Sequence, residues 1–241
     1  MQALANPTRF LRLQAAAQPW VTAAAVLLLA TGLYLGLVTA PADYQQGETV
    51  RIMFVHVPAA WMALFIYTFM AVASAVGFIF RHPLADAAAK AAAPIGAVFT
   101  FLALFTGSLW GRPMWGTWWE WGDARLTSMF VLFLLYLGYI SVWQAIEEPT
   151  RAARVAGIVA IVGLINVPII KFSVEWWSTL HQPASVLRMG GPSIHPTILT
   201  PLLVMGLAYA FVFLALHLVS LRTEVMARRL RQMQLARAGD A

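Results

Sequence analysis

The stretch Met114 to Ser128, MWGTWWEWGDARLTS, places Trp115, Trp118, Trp119 and Trp121 within seven residues; Trp110 stands just ahead, and Asp123 and Arg125 close the run. Three histidines fall in comparable surroundings: His56 in RIMFVHVPAAW, His181 in SVEWWSTLHQP just after Trp176 and Trp177, and His195 in PSIHPTI. Indole offers a large, rigid stacking face with little conformational entropy to lose. Neutral imidazole is a good iron ligand, and two imidazoles on opposite faces complete the six-coordination of a porphyrin iron. Arg112 and Arg125 flank the run, and the guanidinium fork suits carboxylate edges. A flat, apolar, metal-centred ligand with anionic edges joins these features, and haem meets that description. A quinone or a lipid would use the indoles equally well.

The elements that must carry these residues are membrane helices. The chain has 241 residues, is 61% hydrophobic and only 11% charged, against about 25% charged for a soluble domain. Six apolar runs reach the roughly 20 residues that a spanning helix needs. They lie near Trp20–Ala40, His56–Phe80, Ala91–Leu109, Thr127–Ile146, Ala152–Ile170 and Pro196–Leu221. The fold expected is therefore all-α, a single integral-membrane domain over residues 1–241, with a tryptophan-rich outer loop at about 110–126 and a basic tail at 222–241. The first run is longer than a signal-peptide core. It contains Gly32-x-x-x-Gly36, read either as a close-packing face or as a chance pair in an Ala/Gly-rich helix.

With the N-terminus inside, eleven basic residues fall on the inner side; only Arg51, Arg112, Arg125, Lys171 and Arg188 fall outside. The positive-inside rule then places both termini in the cytoplasm. The tail reads as a topology anchor or as a short basic helix along the anionic leaflet. Eight tryptophans lie at or beyond the outer ends of the spans, and only Trp20 and Trp143 at the inner ends. An aromatic belt would populate both interfaces. With no cysteine present, disulfides, thiolate metal sites and C-x-x-C-H haem attachment are excluded. The sequence carries no nucleotide-binding loop either.

PMWGTWWEWGDARLTS resembles the "WWD" loop of the membrane proteins that handle haem during cytochrome c assembly. With PADYQQG (Pro41–Gly47), HVPAAW (His56–Trp61), APIGAVFTFLAL (Ala93–Leu104) and SVEWWSTLHQ (Ser173–Gln182), the chain resembles the CcmC family over most of its length outside the termini. The resemblance implies a bacterial inner-membrane protein, not an enzyme, that binds haem at the periplasmic face. The platform would comprise Arg112, Trp115, Gly116, Trp118, Trp119, Trp121, Asp123 and Arg125, with Trp176 and Trp177 beside it, and His56 and His181 would be the axial ligands. It implies transfer of the haem to the chaperone CcmE, and release by an ABC-type complex of CcmA and CcmB with the small protein CcmD. One departure is Gly122, which separates Trp121 from Asp123 where the family runs W-x-W-D. In a helix the extra residue would turn Asp123 by roughly 100°; a local turn at glycine would absorb it.

Two further residues have roles to be placed. His195 is expected to start helix six or to support the site from behind, and Glu175 to orient His181 or simply to be solvated. The alternative function is a b-type cytochrome-like electron-transfer subunit, which would usually carry its histidine pairs inside helices; a structural subunit docking a partner through the tryptophans is a third. The Gly190–Gly191–Pro192 stretch is expected to act as a hinge beyond His181.

Overall fold

Proline opens four of the seven helices in the computed structural model, which describes residues 6–177, 179–186 and 188–239. Pro7, Pro83, Pro149 and Pro196 are the first residues of α1 (Pro7–Tyr34), α3 (Pro83–Trp115), α5 (Pro149–Gly163) and α7 (Pro196–Gly239). A proline costs nothing there, because the first amides of a helix have no partner within it. The side chains of Asn6, His82 and Glu148 cap three of these starts, and Asp123 caps α4 (Ala124–Ala145). A short 3-10 turn, Glu48–Ile52, leads into α2 (Met53–Phe80).

Six helical segments among the described residues are long and apolar enough to cross a membrane. They match the six apolar runs in order, but several reach further. The third is helical from Pro83 to Trp115, so Trp110, Arg112 and Trp115 stand on α3, not in a loop. Gly116, at φ +78°, ends that helix in the left-handed conformation that glycine adopts freely. The fifth crossing is made of two helices, α5 and α6 (Asn166–Trp176). Its break at Leu164–Ile165 has a local cause. Pro168 has no amide to give the Leu164 carbonyl, and its ring clashes there. Asn166 fixes the break by donating from Nδ2 to the Ser128 carbonyl at 2.9 Å.

The tail is not a separate short helix. Residues 222–239 continue α7 without interruption, and the part up to Arg229 packs against the beginnings of α1 and α3. Leu221 and Val225 join Ala87 and Ala91 in a small apolar cluster with Phe10 and Leu11. Arg229 donates to the Thr8 hydroxyl at 2.7 Å, and Arg228 to the Pro83 carbonyl at 3.0 Å.

The main core lies between α2 and α3, closed by α4, α5 and α7. Small side chains let the backbones approach, as membrane helix pairs require: Ala89, Ala92, Ala93 and Ala103 of α3 are buried. Tyr67, Tyr136 and Tyr139 fill the remaining width, and the Tyr136 hydroxyl donates to the Ala63 carbonyl at 2.8 Å. The Gly32-x-x-x-Gly36 pair is a packing face. A Cβ on Gly32 would lie 2.5 Å from Met205 Sδ, and one on Gly36 2.8 Å from Phe54. Six crossings bring both termini to one end of the bundle and leave the tryptophan run at the other.

Candidate functional site

His56 sits on the first turn of α2 and points across to α3. Its Nδ1 is 2.9 Å from the Ala103 carbonyl and 3.2 Å from the Thr106 hydroxyl. That hydroxyl already donates to the Leu102 carbonyl at 2.6 Å, so it can only accept from the ring. Both neighbours are therefore acceptors, which places the imidazole proton on Nδ1 and leaves the lone pair on Nε2. Gly107 makes the approach possible: a Cβ there would lie 2.8 Å from His56 Cε1. Trp110 meets the ring edge-on, with centroids 5.7 Å apart, and its Nε1 donates to Gln46 at 3.2 Å.

His181 lies in the segment between α6 and α7, partly buried against Trp115, with ring centroids 4.9 Å apart. Its Nδ1 makes no hydrogen bond among the described residues and faces Asp123 Oδ1 at 3.6 Å. Asp123, whose side chain is 1% exposed, is the knot of this end. Its Oδ1 caps α4 by accepting from the Leu126 amide at 2.9 Å, and its Oδ2 accepts from the Leu180 amide at 2.7 Å. Burial works against the charge on Asp123. The His181 ring and the two amides outweigh it and hold the carboxyl down at about 2. Trp121 and Gly122 form a turn closed by the Asp123 amide on the Glu120 carbonyl at 3.1 Å. The additional residue is thus absorbed in a turn, and Asp123 reaches the start of α4.

The indoles do not form one stack. Trp110 serves His56 and Trp115 serves His181. Trp119 and Trp121 pack on each other at 5.4 Å and both on Phe130 of α4. Trp118 is 54% exposed, and Ser108 holds its carbonyl at 2.9 Å. Trp176 and Trp177, 5.7 Å apart, line an open groove of about 580 Å³ together with Glu175 and His181. Arg112 is exposed and donates to the carbonyl of Gly116. Arg125 turns towards α6, donating to Ser173 Oγ at 3.3 Å and to the Lys171 carbonyl at 3.4 Å. His195 stands exposed at the start of α7, with Nδ1 2.9 Å from the Thr197 hydroxyl, in the helix-start role expected of it.

Sequence reasoning did not find the residues that hold His56. A backbone carbonyl, Ala103, and a glycine, Gly107, leave no signal of their own in an apolar helix. Of the two readings of Glu175, solvation is the one its exposure fits; the carboxylate facing the His181 ring is Asp123. Among the described residues no three His, Asp or Glu side chains gather as a site for a bare metal ion. A porphyrin supplies four ligands itself and asks only for two axial ones, and two imidazoles at one end of the bundle fit that demand.

A six-crossing helical membrane protein with an aromatic end that also carries His56 and His181 is the class that fold and site define. Comparison with known proteins narrows it. The family model of CcmC, described as heme exporter protein C, matches residues 1–236, and the chain belongs to that family. It is 61% identical over 235 residues to the heme exporter protein C of Bradyrhizobium diazoefficiens, covering 98% of this chain and 89% of the relative. The heme exporter protein C of Paracoccus denitrificans is 47% identical over 238 residues, 98% of each chain. That of Escherichia coli K12 is 44% identical over 199 residues, 83% of this chain and 80% of the relative.

Proposed function

We propose that this protein handles haem for cytochrome c maturation, holding it at the tryptophan-bearing end of the bundle with His56 and His181 as axial ligands. Membership of a family of heme exporter proteins supports the cargo. The observation that carries the ligand assignment is a shared arrangement of the two rings. His56 Nδ1 is engaged by the Ala103 carbonyl at 2.9 Å and His181 Nδ1 faces Asp123 Oδ1 at 3.6 Å, beyond hydrogen-bond length, so that in each ring Nε2 is the nitrogen left for iron. Histidine ligands are commonly oriented through the second nitrogen in this way, and the acceptor raises the basicity of the first.

Haem is cargo here, and the protein's part is to bind, orient and release it. Trp176 and Trp177 offer exposed indole faces at the groove, and Trp118 is exposed at the same end of the bundle. Arg112 and Arg125 each keep guanidinium donors beyond those already in use, and these suit the propionates. Trp119 and Trp121, packed on α4, shape the loop from below. The excess of basic residues at the terminus-bearing end supports an orientation with that end in the cytoplasm of a bacterial inner membrane and the haem end in the periplasm. Both ligands stand at helix ends or in loops, so one edge of the haem faces the acceptor. That acceptor is the chaperone CcmE, and ATP-driven release belongs to CcmA and CcmB with CcmD. Gly190 and Gly191, at φ +92° and +85°, give the segment after His181 the freedom to open.

The test is ligand replacement followed by absorption spectroscopy on the purified protein. His56→Ala or His181→Ala should lower haem retention and shift the spectrum, while His82→Ala and His217→Ala should leave it unchanged. An unaltered six-coordinate spectrum in the double variant would remove the assignment.

A further inference from the structure

At the opposite end of the bundle, α3, α4 and α7 leave a cleft of about 450 Å³ between them that haem handling does not use. Its wall changes character along its length. Ala93, Pro94 and Ile140 make one part apolar, and Lys90, Gln144, Thr223 and the carboxylate of Glu224 make the other polar. Lys90 Nζ lies 4.7 Å from the centre of the Trp143 ring, which also lines the cleft. Lys90 also pairs with Glu224 at 2.9 Å, but Glu224 is shared with Arg228 Nε at 2.8 Å. One carboxylate thus serves two cations. Arg228 Nη2 is buried and has no partner among the described residues. The surroundings add to the imbalance, since eleven of the sixteen basic residues belong to this end, against five of the ten acidic ones.

We propose that this cleft holds a phospholipid with an anionic headgroup, phosphatidylglycerol being the simplest, from the leaflet at the terminus-bearing end. The phosphate would lie by Lys90, Gln144 and Thr223, and one acyl chain along Pro94 and Ile140. A basic pocket between membrane helices at the interface has the chemistry for such a headgroup. The apolar wall beside it is superfluous for a free anion and suits a tethered chain. The volume admits a headgroup and part of a chain but not a partner helix, which is about 10 Å across with its side chains. Bound there, the lipid would brace α7 against α3 and α4 just where the helix leaves the membrane.

The test uses the full chain, solubilised in mild detergent and examined by native mass spectrometry and thermal unfolding. The wild type should retain phosphatidylglycerol in preference to phosphatidylethanolamine and should melt higher when phosphatidylglycerol is added. Lys90→Gln should lower retention about fivefold, the factor expected for one cation at a membrane surface; Arg237→Gln, at the far end of the tail, should not. Gln144→Trp, which fills the mouth of the cleft and leaves every charge in place, should lower it too and so guards against a folding defect in the lysine variant. Retention unchanged from the wild type in both Lys90→Gln and Gln144→Trp would overturn the proposal, as would equal retention of the two lipids by the wild type. A rise in melting temperature with inorganic phosphate equal to that with phosphatidylglycerol would reassign the cleft to free anions.

Discussion

Asp123 and His181 face each other across 3.6 Å, although 57 residues separate the tryptophan loop from the amide of Leu180 that the same carboxylate holds. One side chain therefore caps α4, tethers the segment before α7 and faces an imidazole. The loop that offers indoles and the loop that carries His181 are held as one unit through it.

Asp123→Asn tests this unit. The carboxylate accepts from Leu126 at one oxygen and from Leu180 at the other, whereas an amide side chain has only one oxygen and would set an NH2 group against an N–H. One of the two amides must lose its partner, at a cost of about 1–3 kcal/mol for a buried donor. Thermal unfolding in detergent should show a lower midpoint, and haem retention should fall with it. Asparagine performing as well as aspartate in both would show that the two contacts are incidental.

The same carboxylate sets a pH window. Its value is depressed from 3.8 to about 2, so its contribution to stability is fully present above the ordinary carboxylate value and is lost as pH falls through the folded one. Hydrogen exchange at the Leu126 and Leu180 amides, corrected for its intrinsic pH dependence, should be flat above 3.8 and accelerate between there and about 2. Acceleration beginning well above 3.8 would point to another group.

Gly107 and Gly138 form a matched pair of probes. A methyl on Gly107 would lie 2.8 Å from His56 Cε1, while one on Gly138 would meet nothing within 4 Å. Gly107→Ala should displace the ring and change the haem spectrum. Gly138→Ala should leave the spectrum alone and add up to about 1 kcal/mol of helix stability. Identical spectra in the two variants would place the haem away from His56.

Trp118 and Trp119, adjacent in sequence, should separate in effect. Trp118 is 54% exposed, whereas Trp119 packs on Trp121 and Phe130. Trp118→Ala should lower haem occupancy with no change in melting temperature. Trp119→Ala should lower both, losing aromatic contacts worth about 0.5–1.5 kcal/mol each. Full occupancy in the double variant would make these indoles an interfacial anchor alone.

Read from residues alone, the chain already declared its class. Apolar runs of spanning length can satisfy their backbones in lipid only as helices, so six crossings followed from composition and length. The grouping of tryptophans and histidines at one end followed from counting crossings. Helix limits did not follow, because hydropathy reports the thickness of the bilayer, while capping and packing decide where a helix stops. Thus α3 runs on to Trp115 until Gly116 ends it, and α7 carries the basic tail onward because α1 and α3 give it a surface to pack on. Only the tertiary structure could decide which groups orient the histidines. Ala103 is 47 residues from His56 in the chain, and its contribution is a backbone carbonyl, which every residue possesses. Asp123 and His181 likewise meet only because α4, α5 and α6 return the chain to the same end, a distance relation that no local pattern encodes.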